Sequence, residues 1–537
     1  MDKPAEPLLS RRRVYVLLVT VAVAAACGRI LSANRVYEPD IHRTDPGRAA
    51  GAILAPLAAA NPLEAVGLTA GGQYVWRTVG EDEPARLWPR ARPEPTPLFG
   101  SNDRSRWATI RALVENHSYA VGDRDPARAT PQNPYGNAGI IFEDGWQTLD
   151  VVMNPDTHVF YSSKPPLLST LVAGEYWLMH RFLGLSIVED RWTVVRVTLL
   201  TVNALPFLIY LLLLAGLIDR FGTTDWGRLL LVATACFATY LGPFAITLNN
   251  HTVAACSVVF ALFPALSIWE REGDALNGGA PAYLYALAGL FASFAACTEL
   301  PATSFAVALF VLLLVKSPGR TLGFFLPAAL LPVAGFFVTN YLAIGKWTPA
   351  YGEFGGPMYE YPGSHWKREP GVVKRGIDFA AEGKAVYAFH LLLGHHGLLS
   401  LTPVFVLSLV GAVWLAVRAL RRGGLRRPVA WLRALPGLEW VAGLTLVLTV
   451  TVVAFYVYKT NNYGGWTSGP RWFMWLTPLL LLAAAPAADW LAGRRWGCGL
   501  GLLLLGLSVL SASYPAWNPW RHPWIYNLLE AHGWVRY

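Results

Sequence analysis

Eleven stretches of this chain are almost wholly apolar: 14–32, 196–218, 228–247, 252–269, 282–299, 301–315, 321–342, 398–417, 440–458, 472–491 and 497–513. Most approach the ~20 residues that cross the hydrocarbon core of a bilayer. No soluble core could bury so many separate runs. The composition agrees, with 54% hydrophobic and only 15% charged residues, against about 25% charged in soluble domains. The chain is therefore predicted to be an all-α polytopic membrane protein with about eleven transmembrane helices. That excludes a soluble enzyme, and no nucleic-acid partner is expected.

Orientation follows from the short loops. Basic residues gather at Arg11–Arg13, between Lys316 and Arg320, between Arg418 and Arg433, and at Arg494–Arg495. Alternating sides along the chain puts all four groups on one face, which the positive-inside rule makes cytoplasmic. The expectation is a multi-pass protein of the cytoplasmic (inner) membrane, N-terminus inside and C-terminus outside. The net charge of +9 is then mainly a topology signal, with anionic membrane lipids as natural neighbours. The run "RRRVYVLLVTVAVAAACG" also has the form of a signal peptide; a retained anchor is the simpler expectation. The five cysteines all lie in apolar stretches without metal-ligand spacing, so they read as small hydrophobes.

The mass outside the spans falls on the outer face. Residues 1–32 form the inner terminus and first span, 33–193 a long outer loop, and 194–342 a helical bundle. Residues 343–397 form an aromatic-rich outer loop, 398–513 a second bundle, and 514–537 an outer tail. Within the first loop, 33–100 is rich in Ala, Gly and Pro and reads as irregular. "SNDRSRWATIRALVENHSYAV" places Trp107, Ile110 and Val114 at helical spacing, with Ser101 or Asn102 as N-cap. It is too charged to span and reads as an interfacial helix. Residues 120–160 read as loop with short strands, and 166–183 as a second interfacial helix.

The candidate functional residues lie at outer helix ends. Lys164 precedes Pro165 and Pro166, so its backbone is confined to extended conformations at the mouth of a helix. Free N–H groups and a dipole at such a position favour an anion; a snorkelling lysine is the alternative. "TLNNHT" supplies Asn249, Asn250 and His251, which could bond sugar hydroxyls or simply form a polar turn. "YKTNNYGGWTSGPRWF" supplies Asn462, Gly464, Gly465, Trp466 and Arg471, where glycine N–H groups and a forked guanidinium could grip phosphate. The aromatics from Trp347 to Trp366 suit a lid over a site. His390, His395 and His396 do not read as a metal site, because adjacent helical side chains diverge.

The order of these motifs resembles the first outer loop of the GT-C glycosyltransferase superfamily, above all the lipid A aminoarabinose transferases and the protein O-mannosyltransferases. Those families carry Asp-Glu-x-Arg-Tyr-Ala on a surface helix, matched here by Asp103, Arg106, Trp107 and Ala108. They then carry aromatic-x-Glu-Lys-Pro-Pro-Leu, matched by Tyr161, Lys164, Pro165, Pro166 and Leu167. Arg104 and Ser163 replace the two family glutamates. The resemblance implies sugar transfer from a polyprenyl-phosphate donor to a lipid, glycan or protein acceptor at the outer face. It implies a catalytic Asp103, with Lys164, and by chemistry Arg471, at the donor phosphate. Arg106, Tyr161, Asn249, Asn250, His251, Asn462 and Trp466 are expected to line the substrates. No cofactor is firmly expected, and the departures leave a divalent metal open. The rival readings are a lipid-linked oligosaccharide ligase or polymerase and, against the scarcity of mid-span charges, a transporter or flippase.

Overall fold

The computed structural model describes residues 6–33, 35–36, 64–68, 74–78, 86–88, 95–131, 133–272, 279–367, 376–422, 427–535 and 537. Each of the eleven apolar stretches contains a helix, although 398–417 becomes helical only from Phe405 and 228–247 is broken after Phe237. Among the described residues, seven helices are long and apolar enough to cross a membrane: Arg11–Ser32, Arg191–Phe221, Asp225–Phe244, Asn250–Arg271, Pro318–Ile344, Gly437–Lys459 and Arg495–Ser513. The pair Arg471–Ala483 and Ala485–Ala492, bent by 44°, would make an eighth. Ala282–Thr298 and Leu300–Lys316 are apolar but shorter.

Small residues set how closely the helices pack. A Cβ on Gly289 would stand 2.2 Å from the carbonyl oxygen of Phe325, and one on Gly411 2.1 Å from that of Ala483. Only glycine permits these backbone approaches, the usual device where lipid supplies no hydrophobic drive for helix association. Two helices carry a widened π turn, at Leu200–Ala204 and Thr321–Phe325. Each turn leads directly into a segment with proline in its first positions, Pro206 and Pro327. A proline has no N–H to give the preceding turn, and the π turn absorbs the lost bond.

The segment 33–193 holds more regular structure than its composition suggests. The stretch expected to be irregular contains an antiparallel three-stranded sheet, 64–68, 74–78 and 86–88. Residues 35–36 pair antiparallel with 95–96 in a separate two-stranded sheet. The rest of 34–94 lies outside the described residues. The strands expected within 120–160 form a four-stranded antiparallel sheet in the order 137–138, 122–124, 159–162, 151–153. Its register sets Val151 opposite Ser162, which places Asp150 beside Ser163 and one step from Lys164.

The Ser101–Glu115 helix differs from expectation in two ways. Its N-cap is Gly100, without a side-chain cap bond; the Ser101 hydroxyl is occupied instead by Leu149 N–H, Asp150 N–H and Thr148. Ten of its fifteen residues are buried, so the protein encloses most of the helix rather than one face of it. Its charges find partners inside the protein, and that allows burial on several faces. The Pro166–Leu183 helix buries Leu168, Val172 and Tyr176 but leaves Leu171, Trp177, Leu178 and Phe182 exposed.

Candidate functional site

Five side chains from distant parts of the chain form one hydrogen-bonded line at a single end of the bundle. Helix Ala282–Thr298 ends at Glu299, whose extended backbone leads into Pro301. Glu299 is 5% exposed. Its Oε2 accepts from Asn250 Nδ2 at 2.6 Å and lies 2.6 Å from His251 Nδ1. Asn250 Oδ1 in turn accepts from Arg106 Nη2 at 2.7 Å. His251 Nε2 faces Arg471 Nη1 at 3.4 Å. If Nδ1 carries the imidazole proton, every contact in the line pairs a donor with an acceptor.

Beside this line stands a second pair. Lys164 Nζ lies 2.6 Å from Asp150 Oδ1, both side chains mostly shielded from solvent. The proline pair holds the lysine as the sequence implied: Pro165 is the extended N-cap and Pro166 the first residue of its helix. Burial pushes the Asp150 carboxyl up, but Lys164, Arg471 and Arg106 together hold it below the usual carboxylate range. Burial lowers Lys164, partly offset by Asp150, and brings Arg106 down to about 10. Three cations thus converge on two carboxylates. The Nε atoms of Arg106 and Arg471 are buried without a partner among the described residues, so both guanidiniums keep a donor unspent.

Lys164 and Tyr161 line a cleft with Thr109, Tyr119, Asn340 and Ile344, between the Pro166–Leu183 and Leu326–Ile344 helices. Both of these helices carry exposed apolar side chains, Leu171 on one and Leu342 on the other. Tyr351, from the second outer loop, sits close enough to Glu299 for the carboxylate, after burial, to help hold its phenol neutral. That loop is tied down: Trp366 Nε1 donates to Leu149 O at 2.8 Å, and Arg124 to Pro362 O at 3.0 Å.

Several sequence candidates have other work. Asp103 is 1% exposed. Its Oδ2 accepts from Phe99 N–H, and its Oδ1 from Trp107 Nε1 and Leu248 N–H, each at 2.9 Å. It braces the first outer loop to the turn before Asn249 and has little capacity left for a substrate. Its carboxyl is pushed up to about 6 by burial, where neighbouring arginines alone would have lowered it. Asn249 is the N-cap of its helix, accepting from Thr252 N–H at 2.9 Å and donating to Phe244 O and Thr247 O. Asn462 binds its own loop: Oδ1 accepts from Gly464 and Gly465 N–H, and Nδ2 donates to Asp378 at 2.8 Å. The glycine N–H groups are therefore spent on Asn462 rather than free for an anion. Gly464 serves otherwise. At φ 97°, it leaves Arg471 Nε only 3.0 Å from where a Cβ would stand. Trp466 is 58% exposed, its ring 4.9 Å from that of His522.

Asp150 and Glu299 were not among the sequence candidates. An acid closing an apolar helix before Leu-Pro was the available signal for Glu299; Asp150, in a loop, gave none. Lys164 takes its carboxylate from Asp150, the residue just before the 151–153 strand. Among the described residues no three His, Cys, Asp or Glu side chains gather as metal ligands. The three histidines belong to a separate buried cluster. His395 Nδ1 lies 2.5 Å from His396 Nδ1, and His395 Nε2 lies 2.7 Å from the Tyr537 hydroxyl.

The fold and site thus define a polytopic helical protein with a buried cationic centre at one end of its bundle. No family model and no curated protein matches the chain. Among solved structures it is similar to the oligosaccharyltransferase of Archaeoglobus fulgidus in its apo form, at 12% identity and TM-score 0.41, covering 81% of this chain and 54% of that one. A second structure, the archaeal oligosaccharyltransferase AglB with an inhibitory peptide and a dolichol-phosphate, matches at 13% identity and TM-score 0.39, covering 79% and 53%. The chain spans about half the length of these proteins.

Proposed function

We propose that this chain is an integral-membrane glycosyltransferase that moves a sugar from a polyprenyl-phosphate donor to a lipid, glycan or protein hydroxyl at the outer membrane face. The observation that carries the reading is the convergence of Lys164, Arg106 and Arg471 on Asp150 and Glu299, with guanidinium donors unspent. An acceptor oxygen attacks the anomeric carbon, the bond to the phosphate oxygen breaks, and polyprenyl phosphate departs with the electron pair. Charge gathers on that phosphate as the bond breaks, so cations already in place stabilise the transition state more than the ground state. Lys164 faces the cleft between two helices with exposed apolar sides, a suitable entry for a lipid-borne phosphate. Glu299, rather than Asp103, takes the acceptor proton: it lies in the line joining Arg106 to Arg471, whereas the oxygens of Asp103 are occupied.

The test is direct. Lipids from a deletion strain, analysed by mass spectrometry, should accumulate a polyprenyl-phosphate sugar. The purified protein should consume that lipid when supplied with acceptor. A deletion strain with an unchanged lipid profile, and a protein that fails to bind polyprenyl phosphate, would sink the assignment.

A further inference from the structure

The segment 514–523, "YPAWNPWRHP", brings Trp520 against the cationic line at Arg471. It is pinned by its backbone, Ser468 N–H donating to Pro519 O at 3.0 Å. An Asx turn then presents the next residue, Asn518 Oδ1 accepting from Trp520 N–H at 3.1 Å. The Trp520 indole is 5% exposed and touches three parts of the site at once. The Arg471 guanidinium carbon lies 5.2 Å from its ring centroid. Phe244, whose carbonyl receives the Asn249 cap, meets it edge to face at 5.3 Å and 78°. Gly100, the N-cap of the helix bearing Asp103 and Arg106, leaves so little room that a Cβ there would stand 2.8 Å from Trp520 Cγ.

Arg471 needs such a support. Its one side-chain hydrogen-bond contact among the described residues is the long one to His251, and its Nε is unpartnered. A buried guanidinium with so few bonds would swing toward any stray acceptor unless something fixed its plane. A ring face does this without consuming a donor, because the quadrupole attracts the cation while every N–H stays available.

We propose that Trp520 is a positioning residue for Arg471. Its indole ring holds the guanidinium with its donors unspent, and the same ring packs against Gly100 to fix the spacing between Arg471 and the helix that carries Arg106. This rests on the reading of Arg471 as a donor-phosphate ligand, but the placement itself can be tested without any substrate.

Phenylglyoxal modification of Arg471, followed by peptide mass spectrometry on the purified full chain, reads the guanidinium's freedom. Trp520→Leu keeps an apolar filler but removes the ring, and should speed modification by on the order of tenfold, the scale of a desolvated cation–π contact. Trp520→Phe keeps a ring face and should stay near wild type, with melting temperature followed for each variant. Gly100→Ala leaves the indole chemically intact but pushes it aside, and should raise the modification rate by a smaller factor. It keeps the question answerable should Trp520→Leu fail to fold. In the transfer assay, Trp520→Leu should raise KM for the polyprenyl-phosphate donor, and on an Arg471→Gln background it should add nothing further. Equal modification rates in wild type, Trp520→Leu and Gly100→Ala would overturn the proposal. Loss of Arg471 protection in a protein that binds no polyprenyl phosphate would instead uphold the positioning role and remove the donor assignment.

Discussion

At the scale of single residues, charge placement separates the candidates. If Lys164 meets the donor phosphate as proposed, Lys164→Ala should lower transfer about a hundredfold, or about 3 kcal/mol. Lys164→Arg should recover part of this, because a planar fork meets phosphate differently from a compact ammonium. Rates from purified variants matched for expression check both. Glu299→Gln keeps the shape of the network but cannot take a proton, and should cost roughly 10²–10⁴ in turnover. Asp103→Asn should behave otherwise. Its carboxylate receives three N–H donors, and an amide nitrogen turned toward any of them leaves a buried donor unpaired, costing about 1–3 kcal/mol. The expected outcome is a lowered melting temperature, with transfer by the surviving folded protein near normal. Collapse of turnover at unchanged stability would return Asp103 to the chemistry.

Elements explain why these residues meet. Lys164 was legible because Pro-Pro leaves the backbone one course, and the structure follows it. The polar character of "NNHT" was legible too, but not its division of labour. Asn249 caps the helix, while Asn250 and His251, one and two residues on, reach Glu299. Periodicity identifies helices, whereas contacts across 48 or 220 residues of sequence leave no local mark. The histidine cluster, built from the end of the Lys384–Leu392 helix, the 460–470 loop and the segment 520–537, was hidden for the same reason. Burial lowers His395 to about 2 and His522 to about 4, and holds His396 well below its ordinary value. In the unfolded chain these rings take up protons below about pH 6.5. In the fold they resist until far lower, so acid favours unfolding. Asp103, pushed up to about 6, takes its proton earlier in the fold than in the unfolded chain and offsets part of the loss. Glu382, also raised by burial, acts the same way. Stability should therefore fall between about pH 6.5 and pH 4. Melting midpoints of detergent-solubilised protein across that range check this, and a flat profile would contradict it.

For the molecule as a whole, the arrangement is one-sided. Glu299, Lys164 and Arg471 lie at one end of the bundle. The residues of the basic loops pair at the other, where Arg11 meets Asp219, Lys316 donates to Arg433 O, and Arg418 and Arg422 hold Glu439. If the basic end is cytoplasmic, an impermeant thiol reagent added outside should label cysteine at Glu360 and spare cysteine at Val429, which is exposed on the opposite side. The reverse pattern would invert the orientation.

The hydrogen-bonded line from Arg106 to Arg471 also sets an order of assembly. Its links span 144, 49, 48 and 220 residues, and synthesis supplies them from one end. When Ala282–Thr298 enters the membrane, Glu299 arrives with Asn250 and His251 already made but Arg471 still some 170 residues away on the growing chain, an interval of about ten to thirty seconds at common elongation rates. Throughout that interval the acid has only part of its complement. The apolar helix that carries it must hold its place without the cation that completes the line, so the first bundle passes through an incompletely compensated state that the second bundle resolves. Slowing translation between codons 300 and 471 would prolong that state and expose the nascent protein to membrane quality control.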